Sequence, residues 1–270
     1  MKISARFVTS LFAILTSSSV FAQESWRVLD PENTLIIESS KGRLILEMRP
    51  DMAPKSVERV KLLAREKTYD GLQFHRVIAG FVAQTGNPNN RDGGGTSHPN
   101  LAPEMMFKQK LNSGEIVVSN GSISATGFLG GVPFQATPIT DVIKNTKGSL
   151  RAWGAHCPGV AGMGRNEARD SANSELYFML DSARRLDRDY TVFGRIVVGM
   201  DILKNINLGE PPTNPDIMKT VRVLADISAA ERPKVSVMTG TALSAEIDKV
   251  RQQKGADFSV CDVVISAKVE

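Results

Sequence analysis

Hydrophobic residues fall into short blocks along this chain, most with the two-residue period of strands and a few with the 3.6-residue period of helices. Residues 34–49 predict a hairpin: Leu35, Ile36 and Ile37 form an apolar run, Ser40, Lys41 and Gly42 supply a turn, and Leu44, Leu46 and Met48 alternate with Arg43, Glu47 and Arg49. Ile45 interrupts the polar side of that alternation. Pro54 suits the first turn of a helix. Val57, Val60 and Ala64 then recur at helical spacing beside Leu63, with Lys55, Glu58, Arg59 and Lys61 on the other face and Tyr69-Asp70-Gly71 as the stop. Residues 72–84 are strand-like, and 86–95 are a loop rich in Gly and Asn. Residues 112–147 are weakly patterned and predict strands separated by a surface excursion. Strand signals return at 176–180, 191–198 and 221–227, with a short helix over 200–206 and a proline-marked loop at Pro211, Pro212 and Pro215. Beyond 229, Leu243, Ile247 and Val250 mark a helix over about 241–253, and Phe258 to Ile265 predict a strand. Many short strands with few helices imply an antiparallel barrel or sandwich.

The 270 residues, 41% hydrophobic and 23% charged, suffice for one sizeable core with a small appendage, and no solenoid repeat or low-complexity tract is present. Residues 1–22 stand apart. Lys2 and Arg6 precede the apolar run Phe7 to Leu15, and Val20-Phe21-Ala22 offers a cleavage point after Ala22. This pattern predicts a secretory signal peptide, too short for a stable span, and hence a periplasmic or secreted protein without a membrane partner once it is cut. The 33 basic residues exceed the 29 acidic by four, and the excess halves without Lys2 and Arg6. With both signs interspersed, charge gives no support to a nucleic-acid partner. Two cysteines, Cys157 and Cys261, remain. They form one disulfide or stay as two buried thiols. An even count in an oxidising compartment favours the bridge, which would close a loop of about a hundred residues and contribute ~4 kcal/mol. His75, His98 and His156 are too scattered to complete a metal site.

Arg76 sits among Phe74, Val77, Ile78 and Phe81. An arginine in an apolar strand is costly unless its donors have partners or its head snorkels to water. His75 beside it reads as a satisfied histidine at the edge of the core. The continuous run from Tyr69 to Gly86, with Phe74-His75-Arg76-Val77-Ile78 followed by Gly80-Phe81 and Gln84, strongly resembles the signature of the cyclophilins. Three weaker matches follow in family order: Ala102-Pro103-Glu104-Met105, Ser171 to Phe178, and Leu186 to Gly194. The resemblance covers roughly 33–228 with an insertion within 112–147.

It implies a mainly β fold: an eight-stranded antiparallel β-barrel capped by two helices, here with a small C-terminal αβ extension. The domains would be a signal peptide (1–22), an isomerase domain (23–228) and an extension packed on the barrel (229–270), the whole a monomer. It also implies peptidyl-prolyl cis-trans isomerase activity on proline-containing peptides and on unfolded or folding exported proteins. Position by position, Arg76 resembles the catalytic arginine, and Gln84 the glutamine that helps hold it and bonds the substrate backbone. Phe81 resembles the floor of the proline pocket, Val82 stands where methionine is common, and Leu186 matches the pocket leucine. Tyr177 stands where phenylalanine is usual, and Tyr190 where many members carry histidine. Trp153 takes the place of a small alanine and Gly154 that of a backbone-binding asparagine. Trp153 would either shape the groove or cover core beneath the insertion. Glu175 replaces a usual glutamine, either favouring basic substrates or standing as a solvated strand residue. Arg185 lies where some members carry a cyclosporin-contacting tryptophan, which implies reduced drug sensitivity. A disulfide from Cys157 would tie the extension beside the active-site rim.

These residue types suit rotation about an X–Pro bond. The barrier of about 18–20 kcal/mol comes from amide resonance, and no bond to the substrate is made or broken. No nucleophile, metal or cofactor is therefore needed. An apolar wall favours the less polar twisted amide, and a fixed donor aimed at the nitrogen lone pair stabilises the transition state selectively. Arginine provides such a donor, always charged and rigid. Five orders of magnitude would need only ~7 kcal/mol. The alternative is a chaperone or binding module on the same barrel, with little catalysis.

Overall fold

A computed structural model describes residues 25–110, 116–120, 124–137 and 149–270. The predicted signal segment and parts of the 112–147 insertion lie outside the described residues. In chain order the strands are β1 Trp26–Val28, β2 Thr34–Ser39, β3 Arg43–Met48, β4 Arg76–Ile78, β5 Val82–Thr85, β6 Phe107–Lys110, β7 Ile116–Asn120, β8 Ala125–Leu129 and β9 Val132–Ala136. They continue as β10 Ser149–Gly154, β11 Val160–Met163, β12 Leu176–Met179, β13 Val192–Val198, β14 Met218–Val223, β15 Val235–Met238 and β16 Ala267–Val269. The helices are α1 Pro54–Arg65, α2 Met200–Lys204 and α3 Gly240–Lys254.

Eight strands form one curled antiparallel sheet in the order β14-β2-β3-β13-β11-β12-β5-β4. Its edges meet where Gly71 N–H donates to Met218 O at 2.7 Å, Met218 N–H to Leu72 O at 2.8 Å and Phe74 N–H to Asp216 O at 2.8 Å. The pleat sends Leu35, Ile37, Leu44, Leu46 and Met48 into one core, shared with Val57, Val60 and Leu63 of α1, Leu203 of α2 and Phe74, Phe178 and Phe193. Because successive strand residues face opposite sides, Ile36 and Ile45 point outward. They enter a second core with Phe128, Leu129, Val132 and Phe134 of the insertion and Val235, Val237, Leu243, Ile247 and Ile265 of the C-terminal segment. Ile45 broke the predicted polar face because that face is covered. At the start of α1, Ala53 offers no side-chain cap. Glu104 serves instead, its carboxylate accepting from Lys55 N at 2.9 Å and Ser56 N at 2.8 Å, an anion placed at the positive end of the helix.

Two further sheets cover the barrel's outer side, ordered β6-β10-β9-β8-β7 and β1-β15-β16. Arg195 of β13 fastens them. It is buried and donates to Pro158 O, Gly131 O and Val263 O at 3.1, 3.2 and 3.4 Å. Burial pulls its pKa down to about 10, against the raising influence of Glu47. Glu47 answers from β3, accepting from Arg27 at 2.6 Å, Arg49 at 3.2 Å and Gly131 N at 3.0 Å. The predicted bridge is present: Cys157 and Cys261 are joined, with Cα atoms 4.8 Å apart.

Several expectations are corrected. Residues 72–84 are not one strand but a hairpin, β4 and β5, turning at Gly80 with φ +64°. The last barrel strand ends at Val223, and Leu224–Asp226 wind into a 3₁₀ turn. The helices accord with expectation: α1 and α2 pack against the barrel, and α3 is the helix expected in the C-terminal segment. The strand expected over 258–265 is absent: Ser259 and Asp262 form a capping box that winds Val260–Asp262 into a 3₁₀ turn. The strands of that segment are instead β15 and β16. Strand β1, from the other end of the chain, pairs with β15, so the boundary at 228 cuts through a sheet.

Candidate active site

Strands β4 and β5 place Arg76 opposite Gln84 in register, with both side chains on the outer side of the barrel. The Gln84 Oε1 accepts from the Arg76 guanidinium at Nη1. Glu210, on the loop before β14, accepts from Nε at 2.7 Å. Two sides of the planar fork are thus fixed, and the side chain remains 27% exposed at its rim position. Gln84 is oriented in turn: its Nε2 donates to Glu175 Oε1 at 2.7 Å, and Asn87 Nδ2 donates to Glu175 Oε2. Glu175 is buried, and burial raises its pKa more than these hydrogen bonds lower it. It is therefore neither a solvated strand residue nor a substrate-facing charge.

Beside Arg76 lies a hollow of about 80 Å³ lined by Arg76, Phe81, Val82, Gln84, Tyr177, Leu186 and Tyr190. All seven were singled out from sequence, although they come from three separate stretches of the chain. Tyr177 and Tyr190 meet edge to face, with centroids 6.0 Å apart. The Tyr177 hydroxyl, where phenylalanine is the usual residue, is buried and lies 2.7 Å from His156 Nε2. The His156 Nδ1 lies 2.9 Å from Asp187 Oδ1, and Arg184 donates to Asp187 Oδ2 at 2.6 Å. Since Asp187 is an acceptor, the His156 tautomer that makes both contacts carries a proton on Nδ1 and accepts from the tyrosine at Nε2. Burial alone would raise the Asp187 pKa, but the hydrogen bonds from His156 and the charge of Arg184 outweigh it and hold the carboxyl below its ordinary value. Burial pushes the Tyr177 pKa well up, so it stays a neutral donor.

Trp153 and Gly154 lie outside the hollow. Trp153 is buried in β10, 7% exposed, with no acceptor for its Nε1 among the described residues, and it lines a neighbouring recess. The hollow is not plugged by the indole. Gly154 is buried where a Cβ would come within 2.4 Å of the Val192 side chain, so glycine is needed there for strand packing.

His75 has a carboxylate neighbour that sequence spacing did not suggest: Asp92 Oδ1 lies 3.2 Å from its Nε2. Burial lowers the His75 pKa, and Asp92 opposes that. His75, Asp92 and Glu175 bring potential ligand atoms within 4.8 Å of one another. Both Glu175 oxygens already accept from amides, and the Arg76 cation sits 3.9 Å from Asp92. A metal ion there would displace one set and face the other, so the cluster fits hydrogen bonding better than cation binding.

Glu175, Glu210 and His156 escaped the sequence reading as supporting residues. Each is a lone polar residue whose partner lies dozens of positions away. The one available hint was the paired departure from the family pattern, Tyr177 for phenylalanine with a histidine elsewhere to receive its hydroxyl.

Comparison with known proteins bears on the same residues. The family model described as cyclophilin type peptidyl-prolyl cis-trans isomerase/CLD matches residues 34–225. A relative in Brucella suis, named a probable peptidyl-prolyl cis-trans isomerase, is 30% identical over 223 residues, 78% of this chain and 90% of that one. A peptidyl-prolyl cis-trans isomerase-like 1 protein of Rhizopus delemar is 26% identical over 74% of this chain and 95% of its own. The crystal structure of cyclophilin AquaCyp293 from Hirschia baltica superposes with a TM-score of 0.83 and 30% identity, covering 91% of this chain and 93% of that one.

Proposed function

This chain belongs to the cyclophilin-type peptidyl-prolyl cis-trans isomerases, and we propose that it assists the folding of exported proteins from the periplasm or the extracellular side. The proline ring of the substrate enters the hollow of Phe81, Val82, Tyr177, Leu186 and Tyr190, where its apolar surface leaves water. Arg76 then donates to the imide nitrogen as the bond twists and that nitrogen regains its lone pair. This interaction grows toward the transition state and so accelerates rotation. Gln84 holds the guanidinium and bonds the substrate backbone.

The observation that carries this reading is the fork of Arg76, fixed by Gln84 and Glu210 at the edge of an apolar hollow. Catalysis needs such a fixed donor, because a donor free to swing would have to be ordered in every turnover. The chaperone-only alternative loses ground for the same reason, since passive binding of proline has no use for a clamped cation. Export is supported by the basic start and apolar run of residues 1–22 and by the Cys157–Cys261 bridge, a type of link that persists in oxidising compartments.

The test is isomerisation of an Ala-Pro peptide by the parent and by Arg76→Ala. The variant should lose about 100-fold or more in kcat/KM, roughly 3 kcal/mol. Undiminished activity would overturn the mechanism. Export is tested by sequencing the mature protein from its producing cell. A first residue at Gln23 is expected, and an intact Met1 start would refute it.

A further inference from the structure

Leu186 faces the proline hollow, but its chain neighbours Arg185, Asp187 and Arg188 line a second recess together with Gln135, Trp153 and Arg184. The recess measures about 660 Å³, room for a side chain rather than a single water. Its charges are unequal in availability. Asp187 is engaged by His156 and Arg184. Arg184 is engaged by Asp187 and Gln135. Arg185 and Arg188 are exposed and have no carboxylate partner among the described residues. Both are nonetheless positioned. The Arg185 guanidinium lies 4.7 Å over the Phe81 ring, on the ridge between hollow and recess, and that of Arg188 lies 5.0 Å over Trp153. Aromatic faces hold the two cations while leaving their N–H donors free.

We infer that this recess is a specificity site for an acidic side chain one or two residues from the substrate proline. The inference rests on the proposed proline hollow and adds to it the class of sequence the enzyme prefers. A peptide advances at most about 3.6 Å per residue, so a chain with its proline in the hollow passes the Arg185 ridge within that span. A glutamate or aspartate there would accept from two preplaced, unpaired guanidinium groups, and a lysine would be repelled. Trp153, narrow in its exposure and covered by Arg188, serves as the platform that fixes this geometry rather than as a wall of the proline site.

The experiment compares peptides with Glu, Ala or Lys at each position flanking a single proline, by kcat/KM and by calorimetric affinity, at low and high ionic strength. At one flanking position Glu should exceed Ala by about five- to tenfold at low salt, with Lys below Ala, and the spread should shrink at high salt. Arg188→Glu should invert the order to favour Lys. Equal rates and affinities for Glu and Ala peptides in the parent, or an Arg188→Glu variant with the parent's order, would overturn the inference. Failure to isomerise any peptide would instead defeat the isomerase reading, and the affinities of the same peptides would still decide the recess.

Discussion

Replacing Glu175 by alanine should disable the site without touching any residue that meets the substrate. In the folded protein, Glu175 accepts from Gln84 Nε2 on one oxygen and from Asn87 Nδ2 on the other. Alanine leaves one N–H of each amide without its acceptor. An unpaired buried donor costs about 1–3 kcal/mol. Gln84 is partly exposed and belongs at the lower end of that range, so the sum is roughly 2–4 kcal/mol of stability. Activity should fall for a separate reason. Asn87 stays anchored by its bond to Arg91 O at 2.8 Å, but Gln84 is freed to rotate and Arg76 keeps only its hydrogen bond to Glu210. A loss of about 1.4–2.8 kcal/mol in transition-state positioning means a 10- to 100-fold fall in kcat/KM. Glu175→Gln separates geometry from charge. Its carbonyl can still accept from Gln84, and its amide must then face Asn87, so stability should drop by about 1 kcal/mol with activity close to the parent's. Urea unfolding and Ala-Pro isomerisation read the two effects. Parent-like turnover in Glu175→Ala would refute the positioning argument, as would a Gln variant as slow as the Ala one.

Three further outcomes follow from the same geometry. Tyr177→Phe leaves His156 Nε2 unpaired in a buried site and should cost about 1–3 kcal/mol in urea unfolding, and a neutral result would show that the hydroxyl contact contributes nothing. Replacing both cysteines by serine opens a loop between positions 104 apart in sequence. On the chain-entropy model it should cost about 4–5 kcal/mol, a fall of roughly 10 °C in Tm, and an unchanged Tm would contradict that account. The folded-state pKa of Asp187 is depressed, so its stabilisation is complete above its unfolded value of about 4 and is lost as pH falls through the folded value. The stability gap between parent and Asp187→Asn should therefore narrow as the pH falls below about 4. Glu175, with a raised pKa, contributes with the opposite sign. A gap that stays constant on acidification would show that Asp187 is not held by His156 and Arg184.

The sequence carried the barrel's face pattern, the helix at Pro54 and all seven residues of the hollow, because a contiguous motif placed most of them and period-two alternation placed the strands. Its clearest unread message was Ile36 and Ile45. A strand apolar on both sides must be covered on both sides, and that alone foretold the second core. The strand expected over 258–265 failed because Ser259 and Asp262 each reach backbone N–H groups locally, which competes with ladder pairing. Glu175, Glu210 and His156 were illegible for another reason. A hydrogen-bond partner 21, 91 or 134 positions away leaves no trace in spacing.

Strand β1 has β15 as its ladder neighbour, with Trp26 opposite Met238. When the polypeptide is made or threaded from its amino end, Trp26–Val28 must wait for roughly two hundred further residues before a mate exists. At synthesis rates of about 5–20 residues per second, that is ten seconds or more with an open edge. The opening strand is among the last pieces seated, and whatever shortens the tail also unmoors the head.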